Sequence, residues 1–208
     1  MKKLISLISF LIIISLFSQP LIEVFYFENI FAQSSVSVSA TVPTSVSCTL
    51  ATTTTYFGNI DPSAVYTSSP NVTTTVSCNP GSGCNVTIKD QGDGTNGGLY
   101  KSTAPTYLIP SPTAGFPATS TLTAGTDGYG IQAATTSAGS GGTLSLNSIY
   151  TYSGNTVGKL TTTTQTLASS SQPVVNREIV VIHKVAVSGL APAGNYSDTI
   201  TYSCSANP

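Results

Sequence analysis

The hydrophobic pattern has a period of two wherever it is regular after residue 33, the mark of strands with one buried face. It is clearest over residues 34–48, where Val36, Val38, Ala40 and Val42 fall on one side of an extended backbone and Ser35, Ser37, Ser39 and Thr41 on the other. This predicts a half-buried strand. Pro43 interrupts the run, since proline has no ladder donor, and marks a joint to a second strand over residues 45–50. The first segment is therefore able to act as a free arm. Beyond it, turn residues punctuate short runs rich in Val, Ile, Thr and Tyr, which predict strands near residues 56–58, 71–78, 84–89, 106–109, 129–133, 148–152, 159–163, 178–187 and 196–204. Their number predicts an all-β, two-sheet sandwich.

Two of these runs carry more information than the rest. Residues 179–187 are apolar on both faces, with Ile179, Val181, Val185 and Val187 against Val180, Ile182 and Ala186, which predicts a central strand. The last strand alternates, with Tyr196, Asp198, Ile200, Tyr202 and Cys204 on one face. The two are expected to form a closing hairpin. Residues 80–83, 92–98 and 138–142 are rich in Gly or carry Pro, and are expected to be connectors.

The amino-terminal pattern is different. Lys2 and Lys3 precede an apolar run over residues 4–17, the order of a secretory signal and short for a bilayer span. Cleavage is expected after Ala32. Glu23 and Glu28 around an aromatic run are unusual there, so an uncleaved anchor is the competing reading. The organisation expected is a signal peptide over residues 1–32, an extension over 33–44 and a sandwich over 45–208, secreted to the cell surface.

Composition narrows the function. Without residues 1–32 the chain keeps five basic and six acidic residues, a balance with no field for nucleic acid or an acidic membrane surface. Only 7% of the whole chain is charged, against roughly 25% in ordinary soluble domains. Solubility then rests on Ser, Thr, Asn and Gly. Cys48, Cys78, Cys84 and Cys204, in an exported chain, read as two disulfides. Zinc would need a CxxC pair or clustered histidines, and His183 is the sole histidine, so no metal is expected. His183 itself reads as a hydrogen-bonded core or edge residue rather than a catalyst. A calcium loop over residues 90–98 lacks the alternate-position ligands and the bidentate Glu, and turn chemistry explains it. Asn71, Asn85 and Asn195 begin glycosylation-type triplets that matter only in a host that modifies them. No acid, base and nucleophile can be assembled, so neither an enzyme nor a cofactor or small-molecule substrate is expected.

The runs SVSCTLATTTTYFGNIDPS, VTTTVSC, CNVTIKDQGDG and APAGNYSDTITYSC, in that order and spacing, resemble the spore coat protein U domain family, whose members include subunits of archaic chaperone–usher pili. The likeness covers residues 35–94 and 191–202. It implies an immunoglobulin-like sandwich lacking one strand, with the preceding extension as the donor that fills the gap in a neighbour. Here Val36, Val38, Ala40 and Val42 occupy the donor position. It further implies identical or related subunits as partners, together with a periplasmic chaperone and an outer-membrane usher. The family's first disulfide carries over to Cys48 with Cys78, leaving Cys84 with Cys204. The rival pairing joins Cys78 to Cys84 and Cys48 to Cys204; the first is favoured on the ground that long loops constrain the unfolded chain more. The competing function is a self-complemented monomeric surface or coat domain whose Gly- and Thr-rich loops over residues 99–171 contact a glycan or host surface.

Overall fold

The computed structural model describes residues 34–208, so the expected signal segment over 1–32 lies outside the described residues. Residues 34–41 fall in a different unit from residues 42–208. They form no ladder, and Val36 and Val38 are 87% and 89% exposed. The half-buried strand expected there is not made: alternation supplies an apolar face, but a strand also needs a partner edge.

Among the described residues 42–208 there are strands and one 3₁₀ turn, and no α-helix. In chain order the strands are β1 (Val46–Leu50), β2 (Tyr66–Thr67), β3 (Val72–Cys78), β4 (Cys84–Asp90), β5 (Gly98–Lys101), β6 (Tyr107–Pro110) and β7 (Thr119–Thr121). They continue as β8 (Gly128–Thr135), β9 (Ser140–Gly141), β10 (Ser145–Leu146), β11 (Thr156–Gly158), β12 (Gln165–Ser170), β13 (Val174–Ala186) and β14 (Ile200–Ala206). One sheet runs β1-β3-β13-β8-β11-β7, with β2 and β9 also paired to β13. A second runs β10-β12-β4-β14, and β5 pairs with β6. Every pairing is antiparallel.

The inner faces of the two large sheets share one apolar core. Val72, Val76 and Cys78 of β3, Cys84, Val86 and Ile88 of β4, and Ile179, Val181 and Val185 of β13 all point into it, as their period of two requires. β13 is central, flanked by β3 and β8, as its two apolar faces predict. Complete burial of each such aliphatic side chain stabilises by about 1.5–3 kcal/mol. Near its start β13 bulges between Val174 and Arg177, where Asn176 takes φ 52°, a region asparagine tolerates.

The structure corrects four expectations. β13 and β14 belong to different sheets, so they are not a closing hairpin; the connection over residues 187–199 carries the chain from one layer to the other. Residues 148–152 hold a 3₁₀ turn at Ser148–Tyr150, started by Asn147, whose Oδ1 accepts from the Ile149 amide at 3.3 Å. Residues 159–163 form no strand: Lys159 bonds back to Ala118 and the Leu160 amide donates to Ser111 Oγ at 2.8 Å. Tyr56 makes a single bridge to Ser69 rather than a strand. The strand β12 was not expected because QTLASS does not alternate; its pairing to β4 shifts register between Thr166 and Ala168.

The disulfides also depart from the favoured pairing. Cys48 joins Cys204 and Cys78 joins Cys84, with Cα separations of 5.9 and 6.3 Å. Register gives the reason. Cys48 lies opposite Val76 and Cys78 opposite Val46, so these two are only diagonal neighbours on one sheet. Both observed bonds cross between the sheets instead. The loop-length preference was also no discriminator, because Cys48–Cys204 encloses a separation of 156 residues.

Candidate functional site

β1 pairs only with β3, and β14 only with β4, so each is an edge of its sheet among the described residues. The two edges lie along the same side of the sandwich, joined at one level by Cys48–Cys204. Their inner residues are incompletely covered: Val46, Cys48 and Leu50 on β1, and Ile200, Tyr202 and Cys204 on β14, are all half-buried.

Past Leu50 the chain leaves the ladder. Thr55 Oγ1 donates to the Pro70 carbonyl at 2.6 Å and Tyr56 bridges to Ser69, which holds residues 51–58 out as one rim. Phe57 stands edge-on to Tyr129, ring centroids 6.2 Å apart. Residues 191–199 form the opposite rim. There Tyr196 donates its hydroxyl to the Pro192 carbonyl at 2.8 Å and packs edge-on against Tyr107, and Ser197 bridges to Tyr100. Gly194 lies on the alkyl stem of Lys101 at φ 148°, a contact that a Cβ would turn into a clash. Between the rims is a groove of about 1030 Å³ floored by Val72, Leu99, Ile109, Tyr129 and Val187.

A polar cluster underlies its far end. Asp198 Oδ2 accepts from the Tyr129 hydroxyl at 3.1 Å, and Oδ1 accepts from the amides of Gly92 and Thr199 at 3.2 and 2.7 Å. Asp90, 1% exposed, accepts from the Gly98 amide at 2.8 Å through Oδ2, while its Oδ1 has no partner. Burial, with the neighbouring Asp198 carboxylate, pushes Asp90 up to about 9. Asp90 is thus a neutral acid at neutral pH. Burial also raises Tyr129 and Tyr202, and the Tyr202 hydroxyl is buried without a hydrogen bond. His183 is lowered by burial to about 4 and so is neutral at pH 7. Its backbone amide donates to Ser68 Oγ at 3.2 Å, and the same hydroxyl lies 3.5 Å from Nδ1. These contacts are those of the core residue expected from sequence.

Of the four arm positions, Val36, Val38 and Val42 are 82–89% exposed and Ala40 is exposed too. The four cysteines converge on the β1/β14 side and its β3–β4 connection. Asp90 and Asp198 were missed as a pair. The signal was present, since period two carries Asp90 inward after Cys84, Val86 and Ile88, and Asp198 inward before Ile200 and Tyr202. What could not be read was that the two strands are neighbours. Asp93 Oδ1 caps its own turn, accepting from Thr95 and Asn96 at 2.8 and 2.6 Å, the turn chemistry expected over residues 90–98. Of the glycosylation-type asparagines, Asn71 and Asn195 are exposed and Asn85 is half-buried with its Oδ1 enclosed. No cluster of three metal-ligating side chains occurs among the described residues. No family model, curated protein or solved structure matches the chain.

Proposed function

We propose that this protein is a structural subunit of a secreted surface filament, assembled by strand donation. Residues 34–42 of one subunit lie in the β1/β14 groove of the next, completing an immunoglobulin-like sandwich that lacks one strand. The observation that carries this reading is a pairing of opposites. The chain presents three valines that are 82–89% exposed on one edge of an alternating arm, and an apolar-floored groove of about 1030 Å³ beside the free edge of β14, past the end of β1. A strand added along β14 takes backbone hydrogen bonds from its free edge and sends alternate side chains inward.

The energetics suit a polymer bond. Burying Val36, Val38, Ala40 and Val42 is worth about 5–8 kcal/mol, comparable to the whole stability of a small domain. Donor and acceptor are different surfaces, so the contact repeats head to tail without closing and gives a fibre. A subunit in transit presents both surfaces, which is the role of a chaperone that lends a strand. The resemblance to spore coat protein U domains supports the same route through a periplasm and an usher, and disulfides are compatible with an exported chain.

Val38→Asp tests the reading. It places a charge in the groove and should abolish an oligomer ladder on an unboiled denaturing gel. Because Val38 is exposed, the monomer's Tm should stay put, with a change in stability within about 0.5 kcal/mol. A ladder that survives this substitution, or a wild-type chain that is a single monomer band before detergent, overturns it.

A further inference from the structure

A strand enters between two sheet edges only where they stand two ladder spacings apart, about 9–10 Å between flanking backbones. At Cys48 and Cys204 the edges of β1 and β14 are 5.9 Å apart, Cα to Cα. That distance suits a disulfide and leaves no room for a backbone between its ends. At this level, bond and guest strand exclude one another. Beyond Leu50 the edges diverge, and the groove opens along Asp198 to Tyr202.

Spacing makes the conflict matter. The arm carries four same-face positions, Val36, Val38, Ala40 and Val42; β14 offers Ile200, Tyr202 and Cys204 at the same spacing, with Asp198 just ahead of the strand. Seating all four against these positions brings one end of the arm level with the Cys48–Cys204 bond. The two disulfides also differ in access. Cys78 and Cys84 are 4% and 0% exposed in the core, whereas Cys48 and Cys204 are half-buried at free edges. A thiol in solution therefore meets one bond first.

Resting on the strand-donation reading, we propose that Cys48–Cys204 is a redox latch on the groove, which a dithiol reductant must open before a donor strand pairs along the whole of β14. A thiolate of the dithiol attacks Sγ of Cys204, the S–S bond breaks and Cys48 leaves as thiolate. The second thiol then displaces Cys204, closing the reductant's own disulfide. Two electrons pass to the protein, and the dithiol's two protons end on Cys48 and Cys204. The Cys78–Cys84 bond stays closed and holds the sheets together at the β3–β4 connection.

The experiment follows ladder formation by the full chain, purified oxidised, with and without dithiothreitol, beside the Cys48→Ser/Cys204→Ser and Cys78→Ser/Cys84→Ser variants. Disulfides in each band are mapped by alkylation and mass spectrometry. The expected result is a ladder that rises about tenfold or more on opening the latch, as when a dominant closed state is removed. Dithiothreitol and Cys48→Ser/Cys204→Ser both produce it, Cys78→Ser/Cys84→Ser does not, and wild-type ladder bands carry Cys48 and Cys204 as alkylated thiols. The map requires only the wild-type chain, so misfolding of a variant does not decide the outcome. An intact Cys48–Cys204 bond in a ladder that Val38→Asp abolishes overturns the latch and leaves strand donation standing. Absence of a ladder in every arm overturns both.

Discussion

β13 and β14 both alternate, both present Ile, Val or Tyr inward, and both border the same core, yet they end in different states. The inner residues Ile179, Val181 and Val185 of β13 are 0% exposed, and the strand has neighbours on both sides. The inner residues Ile200, Tyr202 and Cys204 of β14 are half-buried, with a neighbour on one side only. The difference lies in partners rather than in residue type. A strand face is covered from above by the opposing sheet and laterally by the next strand, and β14 lacks the second cover just where β1 diverges. The centre of the sandwich is paired on both sides and this edge on one.

The two regions should answer differently to substitution. Opening the edge clip with Cys48→Ser/Cys204→Ser should cost the isolated subunit most, about 5 kcal/mol on the chain-entropy model, against about 2 for the short Cys78–Cys84 loop. Urea midpoints of the two double variants compare them directly, and equal losses would mean that loop entropy is not what the edge bond contributes. The first figure is close to the gain proposed for seating the donor arm. Next in size, Ile179→Ala in the central strand should lose about 2–5 kcal/mol through transfer and cavity terms, read as a fall in Tm with unchanged ladder geometry.

A subtler effect belongs to the floor between the two regions. Folded Asp90 holds its proton to about 9 against an ordinary value of 3.8, so between these values the folded state binds a proton that the unfolded state has released. Its contribution is fully present below the lower value and is lost as pH rises toward the upper one. Asp90→Asn keeps the side chain neutral at every pH and should flatten that decline, measured as urea midpoints across the window. His183 acts in the opposite sense, because its lowered value makes stability fall as pH drops from 6.5 to about 4. An unchanged slope in Asp90→Asn would show that Asp90 is ionised in the fold.

Much of the fold was legible along the chain. Runs rich in Val, Ile, Thr and Tyr between turn residues located β1, β3, β4, β6, β8, β13 and β14, and the doubly apolar run marked β13 as central, because burial of both faces leaves a direct trace in the pattern. β12 and the 3₁₀ turn at Ser148 were not legible. QTLASS is ordered by its neighbours β4 and β10, and Asn147 starts a turn through a side-chain bond that outweighs strand propensity in SIY. The alternating arm can be read from the sequence, though its exposure cannot, whereas the groove is assembled from residues 50, 52–60, 72, 99, 109, 129, 183, 187, 191–200 and 202, which no local pattern links.

By itself, then, the sequence determined an all-β chain with a central apolar strand, an alternating arm ahead of it and four cysteines suited to an oxidising compartment. Those properties follow from the residues near each position. Tertiary structure decided which strands share a sheet, which cysteines meet, and that Asp90 and Asp198 converge, because these depend on where residues far apart in the chain are brought. It also decided that β1 and β14 are joined at one level and open at the next, the feature on which both the groove and its latch depend.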